Sequence, residues 1–265
     1  MIGVIIGDIV GSAYEFKGRT KDYNFKLITE NSKITDDTVM TAGTIDAILN
    51  DKDYAKAYRK WGRKYPTAGY GKLFKEWLTD DTIKGIESYG NGSAMRVSPT
   101  AWIHDTLNDT IKEAEKSSIV SHNHMQGMIG AKVVAGLIFM ARTGSSKEEM
   151  LEWASKFYIL DFTIDEIRPT YKFNATCQGS VPQAIRSFLD SSDFESCLRN
   201  AVSLGGDADT LAAIACSIAE AYSLCHEEYK IPEEFINIIK EKCPSEIIKL
   251  IKNMPGEYNK LNYNL

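Results

Sequence analysis

Two short acidic segments carry the residue types in this sequence that are best suited to chemistry. They are Thr35-Asp36-Asp37-Thr38 and Asp207-Ala208-Asp209-Thr210. Each stands at the start of a helical pattern, where carboxylates and hydroxyls commonly cap unpaired backbone N–H groups. The same oxygens are the ligands that Mg²⁺, Mn²⁺ and Ca²⁺ prefer. A single segment is better explained as a helix cap, but the two together offer enough oxygens for a pair of divalent cations.

The second acidic segment gives the stronger indication of a cation site. Gly205-Gly206 provides a permissive turn directly before Asp207. The helix predicted over 207–225 is apolar almost all round, which favours a buried, central position. Two carboxylates at the start of such a helix are costly unless they are paired or bound to a metal. The residues alone leave helix capping and cation binding open.

Three further positions have polar residues that a simple core does not require. The segment from Gly90 to Arg96 places glycines around Asn91, so it is either an anion-binding loop or a plain turn. The segment Ser121-His122-Asn123-His124 lacks a third ligand at zinc spacing. His122 is therefore interpreted as a hydrogen-bonding or stacking group, with a structural histidine as the alternative. Glu15 is predicted at the C-terminal end of the first helix, where its charge opposes the helix dipole and indicates a partner.

Composition limits the class of protein. The 265 residues show no linker, so we predict one domain over 1–265, and the 43% hydrophobic fraction suffices for a large core. The net charge of −5 argues against a nucleic-acid surface as the main function. Five cysteines without a CxxC spacing favour a reducing, cytoplasmic location. The N-terminus lacks the basic region of a signal peptide, and the longest apolar run, 133–141, is too short for a bilayer.

Helical periodicity dominates the rest of the chain. Gly3, Gly7 and Gly11 form one smooth face of a helix over 3–14, which indicates close packing against another backbone. Further helices are predicted over 36–50, 53–64, 70–78, 108–118, 124–142, 147–157, 181–189, 193–203, 207–225, 232–241 and 244–252. Convincing strand patterns are missing. We therefore predict an all-α fold, a compact orthogonal bundle of many helices.

Taken in order, these segments resemble the ADP-ribosylglycohydrolases, the family whose best-known bacterial member reactivates dinitrogenase reductase. The resemblance covers nearly the whole chain. It rests on Gly7-Asp8 through Tyr14-Glu15, the two acidic segments with Ser203-Leu204-Gly205-Gly206, the segment 90–96, Ser121-His122-Asn123-His124, and Ser180-Val181-Pro182-Gln183-Ala184. It implies an all-helical fold around a binuclear Mg²⁺ or Mn²⁺ centre. It also implies hydrolysis of the glycosidic bond between ADP-ribose and a modified acceptor, most commonly a protein side chain, with release of ADP-ribose.

The resemblance also implies a role for individual residues. By matching position, the metal ligands are Thr35, Asp36, Asp37, Asp207, Asp209 and Thr210. The loop that holds the diphosphate and proximal ribose comprises Asn91, Gly92, Ser93, Ala94 and Met95, with His122 on the distal ribose side. Glu15, Asp36 and Asp209 are the expected catalytic residues, and Glu15 is the preferred acid/base.

Other functions remain open at this level. The same fold includes non-catalytic members, so an ADP-ribose-binding module is one alternative. A dimetal hydrolase of phosphoesters or nucleotides is another, although the sequence lacks a Walker-type loop. The expected partner is an ADP-ribosylated protein or small molecule, with nucleic acid disfavoured, no membrane, and a monomeric state. Residues 167–179 are a candidate rim of the cleft, or an ordinary surface loop, and the acceptor stays undefined.

Overall fold

The structure, a computed structural model, describes residues 1–16 and 18–265, and the regular structure in them is helical. Isolated bridges occur, but these residues form no β-sheet. The α-helices are α1 Ile2–Ser12, α2 Asp36–Leu49, α3 Tyr54–Lys64, α4 Lys72–Thr79, α5 Gly92–Met95, α6 Leu107–Ile119, α7 Met125–Arg142, α8 Lys147–Ala154, α9 Ile164–Ile167, α10 Cys177–Leu189, α11 Phe194–Val202, α12 Ala208–Tyr222, α13 Glu233–Lys242 and α14 Ser245–Lys252. Short 3-10 helices span Ser98–Trp102, Glu227–Tyr229 and Gly256–Leu261. The predicted all-α class is confirmed.

Helix α12 lies at the centre of the core. All of its residues are buried, and it packs against α1, α7, α10 and α11. This agrees with its nearly uninterrupted apolar sequence. Helix α7 is long and apolar enough to cross a membrane by length and composition, but 61% of it is buried within the protein. A core helix satisfies the same criteria as a membrane span, and the packing of α7 on α6 and α12 matches a core helix.

The glycine face of α1 brings two distant parts of the chain into backbone contact. A Cβ on Gly7 would lie 2.5 Å from the carbonyl oxygen of Ala212, and a Cβ on Gly11 would lie 2.5 Å from that of Ala208. Both distances are far below van der Waals contact, so only glycine fits at these positions. The close approach confirms the predicted packing and places Asp8 beside the first turn of α12.

Several predicted boundaries need correction. Helix α1 ends at Ser12, so Glu15 lies in a bend after the helix and not at its terminus. Helix α10 begins at Cys177, with Thr176 as its N-cap, and continues through Pro182, whereas the prediction began at 181. The four-residue helices α5 and α9 were not predicted, since one turn shows no periodicity.

Candidate functional site

Five buried or half-buried carboxylates converge where α1, α2 and α12 meet. Asp8, Asp37 and Asp209 each place an oxygen within 4.8 Å of the others, and all three are buried. Glu15 and Asp207 form a second group of the same size with Asp209. Asp209 belongs to both groups and joins them. Two adjacent carboxylate groups that share one member match the arrangement of a two-cation site.

Asp8 holds the start of α2 in place. Its carboxylate accepts hydrogen bonds from the backbone N–H and the hydroxyl of Thr35, at 2.8 and 2.7 Å. It also accepts from the backbone N–H of Thr38 at 3.0 Å and from the Thr38 hydroxyl. These donors occupy the lone pairs that a metal ion would need. Asp8 therefore orients Thr35 and the first turn of α2, and it has little capacity left to bind a cation directly.

The orientation of Thr35 leaves unpaired oxygens around Asp37. The single Thr35 hydroxyl proton is directed to Asp8, and Thr35 Oγ1 lies 3.3 Å from Asp37 Oδ2 and 3.5 Å from Asp209 Oδ2. Asp37 Oδ1 is buried and has no hydrogen-bond partner. A buried, unpartnered carboxylate oxygen is costly, and a cation would remove that cost. Every donor here is a hard oxygen, so the residues fit Mg²⁺ or Mn²⁺.

The electrostatics of the cluster also require a counter-charge. Burial, and then the neighbouring carboxylates, raise the pKa values of Asp37 and Asp209 well above their ordinary range. The same causes raise the pKa of Asp36 to about 8 and that of Glu15 to about 7. Among the described residues, no lysine or arginine forms an ion pair with these carboxylates. Bound protons or metal ions must therefore neutralise the site at neutral pH.

Asp36 and Thr210 occupy the margin of this cluster. Asp36 lies outside both carboxylate groups, half-buried in the cavity wall, and its Oδ1 would be 3.2 Å from a Cβ on Gly69. Thr210 Oγ1 lies 3.3 Å from Asp37 Oδ2 and thus links the two acidic segments. The structure brings all six predicted ligands to one region, and Asp36 is the one whose carboxylate stands apart.

Asn91 connects the glycine-containing segment to the acidic cluster. Its Nδ2 donates to Asp207 Oδ2 at 2.7 Å and to Ser180 Oγ at 3.2 Å. The side chain therefore fixes the direction of the Asp207 carboxylate, a role that the sequence did not predict. Ser93 and Ala94 are buried and do not line the cavity; Ser93 Oγ donates to the carbonyl oxygen of Gly127 at 2.7 Å and so ties the segment to α7.

One cavity of about 420 Å³ joins the acidic cluster to the glycine-containing segment. Its acidic end is lined by Glu15, Asp36, Asp37, Asp207, Asp209 and Thr210, and its other end by Gly90, Asn91, Gly92, Met95 and His122. This volume lies in the range of small-molecule sites. Phe173 and Ala175 line the edge, so part of the predicted rim does face the cavity. Exposed Phe16 stacks on Phe173 with ring centroids 6.1 Å apart.

The two histidines of the segment 121–124 have different environments. His124 caps α7, since its side chain accepts a hydrogen bond from the N–H of Gln126 at 3.1 Å. His122 is buried in the cavity wall, with Nδ1 2.8 Å from Ser121 Oγ. Burial and the positive charge of Arg96 lower the pKa of His122 well below its usual value. His122 is therefore a neutral polar group in the cavity wall, and its hydrogen-bonding role toward a ligand stays a prediction.

Sequence reasoning did not assign Asp8 to the site. The signal in the sequence was an aspartate next to Gly7, on a helix that is otherwise apolar and has one face made of glycines. An ionisable residue in such a helix needs a partner. Its partners, Thr35 and Thr38, belong to the first acidic segment, and only the tertiary structure reveals the pairing.

Comparison with known proteins adds independent information. A sequence model of the family described as ADP-ribosylglycohydrolase matches residues 1–261. ADP-ribosylhydrolase ARH3 of Xenopus tropicalis is 27% identical over 88% of this chain and 87% of that protein, and human ADP-ribosylhydrolase ARH3 is 27% identical over 84% of each. ADP-ribosylarginine hydrolase Tri1 of Pseudomonas putida is 25% identical over 83% of this chain and 68% of that protein.

A solved structure agrees on the fold. It is titled ADP-ribosylglycohydrolase-related protein complex, and it superposes with a TM-score of 0.67 at 24% identity over 94% of this chain and 93% of that chain. This likeness supports the helical architecture. The family match over residues 1–261 confirms the resemblance found in the sequence motifs, and with it the expectation of an enzyme.

Proposed function

The chain belongs to the ADP-ribosylglycohydrolase family, and we propose that it is a metal-dependent hydrolase that releases ADP-ribose from a modified protein side chain. One observation carries the proposal: the unpartnered Asp37 Oδ1 lies among converging carboxylates, in a cavity that continues to the glycine-containing segment. An acidic cluster alone would support only cation binding. The shared cavity supports a ligand that spans both ends.

The residues proposed to hold two Mg²⁺ or Mn²⁺ ions are Thr35, Asp36, Asp37, Asp207, Asp209 and Thr210. Asp8 orients Thr35, and Asn91 orients Asp207, so each acidic segment has its own supporting partner. When bound, the cations supply positive charge that holds and polarises the ribose 2″ and 3″ hydroxyls. Asp36 reaches this set from the cavity wall, where its half-buried carboxylate faces the ligand space.

Glu15 is proposed as the acid/base. Its pKa, raised to about 7 by burial and by Asp207, lets it hold or release a proton at neutral pH. In the hydrolysis, the bond from C1″ to the acceptor breaks with its electron pair passing to the acceptor atom, which takes a proton. Water forms the new bond to C1″ and loses a proton to a carboxylate. Glu15 lies at the cavity edge beside Asp207 and Asp209, within reach of either transfer.

The opposite end of the cavity is proposed to bind the nucleotide part. Asn91, Gly92 and Met95 line it, while the buried Ser93 ties the segment to α7 and the buried Ala94 lies outside the lining. Holding the ligand at both ends of the cavity would use part of its binding energy to orient C1″ for the reaction.

The acceptor is proposed to be a protein side chain. Relatives include proteins named ADP-ribosylhydrolase and one named ADP-ribosylarginine hydrolase, at similar identity. Only the second name specifies an acceptor, arginine, and the first leaves the acceptor open. The proposal therefore specifies an ADP-ribosylated protein as the partner without preferring arginine.

Release of free ADP-ribose from matched peptides tests the proposal. One peptide carries ADP-ribose on serine and the other on arginine, and each is incubated with Mg²⁺, with Mn²⁺ or with EDTA. We expect release from at least one peptide that depends on the added metal. Tight binding without release would identify a binding module, and phosphate release from a nucleotide panel would identify a phosphoester hydrolase; either result, without ADP-ribose release, overturns the proposal.

A further inference from the structure

The glycine-containing segment ends in a fully buried cation. Arg96 is 1% exposed, and its guanidinium lies 3.9 Å from the ring centroid of Tyr58 and 5.3 Å from that of Phe74. Within residues 1–16 and 18–265 it forms no ion pair with a carboxylate. Its short polar contact is the donation from Nη2 to Ser121 Oγ at 2.6 Å. A buried charge with so few partners strongly polarises the group that it contacts.

The hydroxyl of Ser121 connects Arg96 to His122. Ser121 is completely buried, and its hydroxyl oxygen lies 2.8 Å from His122 Nδ1. A serine hydroxyl has one proton to donate. If Nδ1 carried a proton, Ser121 would receive two donors, and its own proton would have no acceptor among the described residues. The arrangement is satisfied when Ser121 accepts from Arg96 and donates to an unprotonated Nδ1.

The other nitrogen of His122 then carries the proton, and it faces the ligand space. A Cβ on Gly92 would lie 3.1 Å from His122 Nε2, and a Cβ on Gly90 would lie 3.8 Å from it. Both glycines leave the space next to Nε2 free of side chains. His122 lines the cavity at this point, so the Nε2–H group is available to a ligand.

We propose that Arg96 and Ser121 are positioning residues that hold His122 in one tautomer, with Nε2–H as a hydrogen-bond donor to an oxygen of the bound ligand. The positive charge of Arg96 polarises the Ser121 hydroxyl and strengthens its donation to Nδ1. The neighbours that pack on the ring, Phe74 and the backbone of Gly90 and Gly92, offer no competing charge. The identity of the ligand as ADP-ribose rests on the proposed function, whereas the tautomer does not.

The tautomer is measured in the ligand-free protein by NMR of ¹⁵N-labelled histidine. The protein has four histidines, and the spectrum of His122→Asn identifies the signals of His122. We expect a pyridine-type Nδ1 and a pyrrole-type Nε2. Ser121→Ala should abolish this pattern in favour of tautomer exchange, while Ser117→Ala should preserve it. Ser117 is an equally buried serine on α6, and its hydroxyl donates only to the carbonyl oxygen of Ala114 at 2.8 Å.

A proton on Nδ1 in the wild type would overturn the proposal, and so would an unchanged pattern in Ser121→Ala. Thermal unfolding of each variant shows whether it is folded. If Ser121→Ala does not fold, Ser121→Thr keeps the hydroxyl and should restore the wild-type pattern.

The donor role is tested by calorimetry with ADP-ribose. The amide nitrogen of glutamine reaches the position of Nε2, whereas that of asparagine reaches Nδ1. We expect the affinity of His122→Gln for ADP-ribose to be within about threefold of the wild-type affinity. His122→Asn and Ser121→Ala should bind roughly tenfold more weakly, since the loss of one neutral hydrogen bond weakens binding by about this factor. Equal losses in the Gln and Asn variants would overturn the donor role. A wild type that does not bind ADP-ribose would overturn the proposed function, while the NMR result would still decide the tautomer.

Discussion

The two acidic segments look alike in sequence, but the protein supports them differently. At the start of α2, Thr35 is the N-cap, and Asp8 from α1 accepts hydrogen bonds from the first turn. At the start of α12, the N-cap Asp207 makes no capping bond; its carboxylate accepts instead from Asn91. One segment is held by an acceptor from a neighbouring helix, and the other is held by a donor from the glycine-containing segment.

This difference separates the carboxylate that supports a helix start from the carboxylates that are proposed to bind metal. Asp8 performs the capping that α2 needs, so Asp37 is left with an oxygen that has no partner. The backbone contact between α1 and α12 fixes the second helix start, so Asp207 and Asp209 need not cap it. Because residues outside each acidic segment hold the helix start, the carboxylates within the segment are not needed for capping. The predictions below test this division.

The largest effect is expected from Asp209→Asn, which removes the carboxylate common to both groups. Turnover should fall roughly 10³-fold, because a cation pair supplies several kcal/mol of charge stabilisation. In EDTA, the same variant should be at least as stable as the wild type, since the neutral amide replaces a buried carboxyl group whose charged form is disfavoured by burial and by Asp207 and Asp37. Peptide hydrolysis and thermal unfolding measure the two effects. Asp51→Asn, beyond the far end of α2, is the control. Full activity of Asp209→Asn at saturating Mg²⁺ would refute the role of Asp209 as a ligand shared by both cations.

Glu15→Gln tests whether the second group includes an acid/base as well as metal ligands. We expect turnover to fall roughly 10²-fold or more, with only a small change in the affinity for ADP-ribose. Steady-state kinetics and calorimetry distinguish the two quantities. Lost binding with normal turnover would assign Glu15 to ligand binding instead.

Gly11→Ala tests the backbone contact that holds the start of α12. A Cβ there would lie 2.5 Å from the carbonyl oxygen of Ala208, so the helices must move apart. The free energy of unfolding should decrease by about 3 kcal/mol. Gly71→Ala, where a Cβ meets nothing within 4 Å, should change it by less than about 0.5 kcal/mol. Equal stability of the two variants in denaturant titrations would contradict the close contact.

Asp8→Asn should destabilise the protein even without metal. The amide keeps one acceptor oxygen and presents an NH₂ group to the donors of Thr35 and Thr38, so about 2 kcal/mol should be lost. Unfolding in EDTA measures this effect separately from metal binding. If Asp8→Asn were destabilised only when Mg²⁺ is present, Asp8 would be a ligand and not a support for α2.

The smallest effect concerns pH. The pKa values of Glu15 and Asp36 are raised in the folded state to about 7 and 8, so each contributes stability below its ordinary pKa that is lost as the pH rises through the raised value. In EDTA, the melting temperature should therefore fall by a few degrees between pH 5 and 8. Saturating Mg²⁺ should reduce or reverse this trend, because metal binding displaces protons. A melting temperature that rises with pH in EDTA would contradict the raised pKa values.

The sequence was informative about long helices and about polar motifs, each for a physical reason. The glycine spacing of α1 predicted close packing against another backbone, and the apolar surface of α12 predicted a central position, because smooth and apolar faces must be buried. That these two helices contact each other is shown by the structure. The sequence was less informative about which side chains meet, because tertiary contacts determine those pairs. The partners of Asp8, the link from Asn91 to Asp207, and the inward burial of Ser93 depend on residues far apart in the chain. The ligand roles themselves stay predictions that the experiments above address.

The distance along the chain between the two acidic segments has a consequence for biosynthesis. Thr35 and Asp209 are 174 residues apart, yet their side-chain oxygens are neighbours. Bringing such distant residues together requires closure of a very long loop, which slows folding and makes it a late event. A chain still on the ribosome has its first acidic segment exposed long before residue 209 is synthesised. The enzyme therefore becomes competent only after nearly all of its sequence has folded, and partly synthesised chains should be inactive.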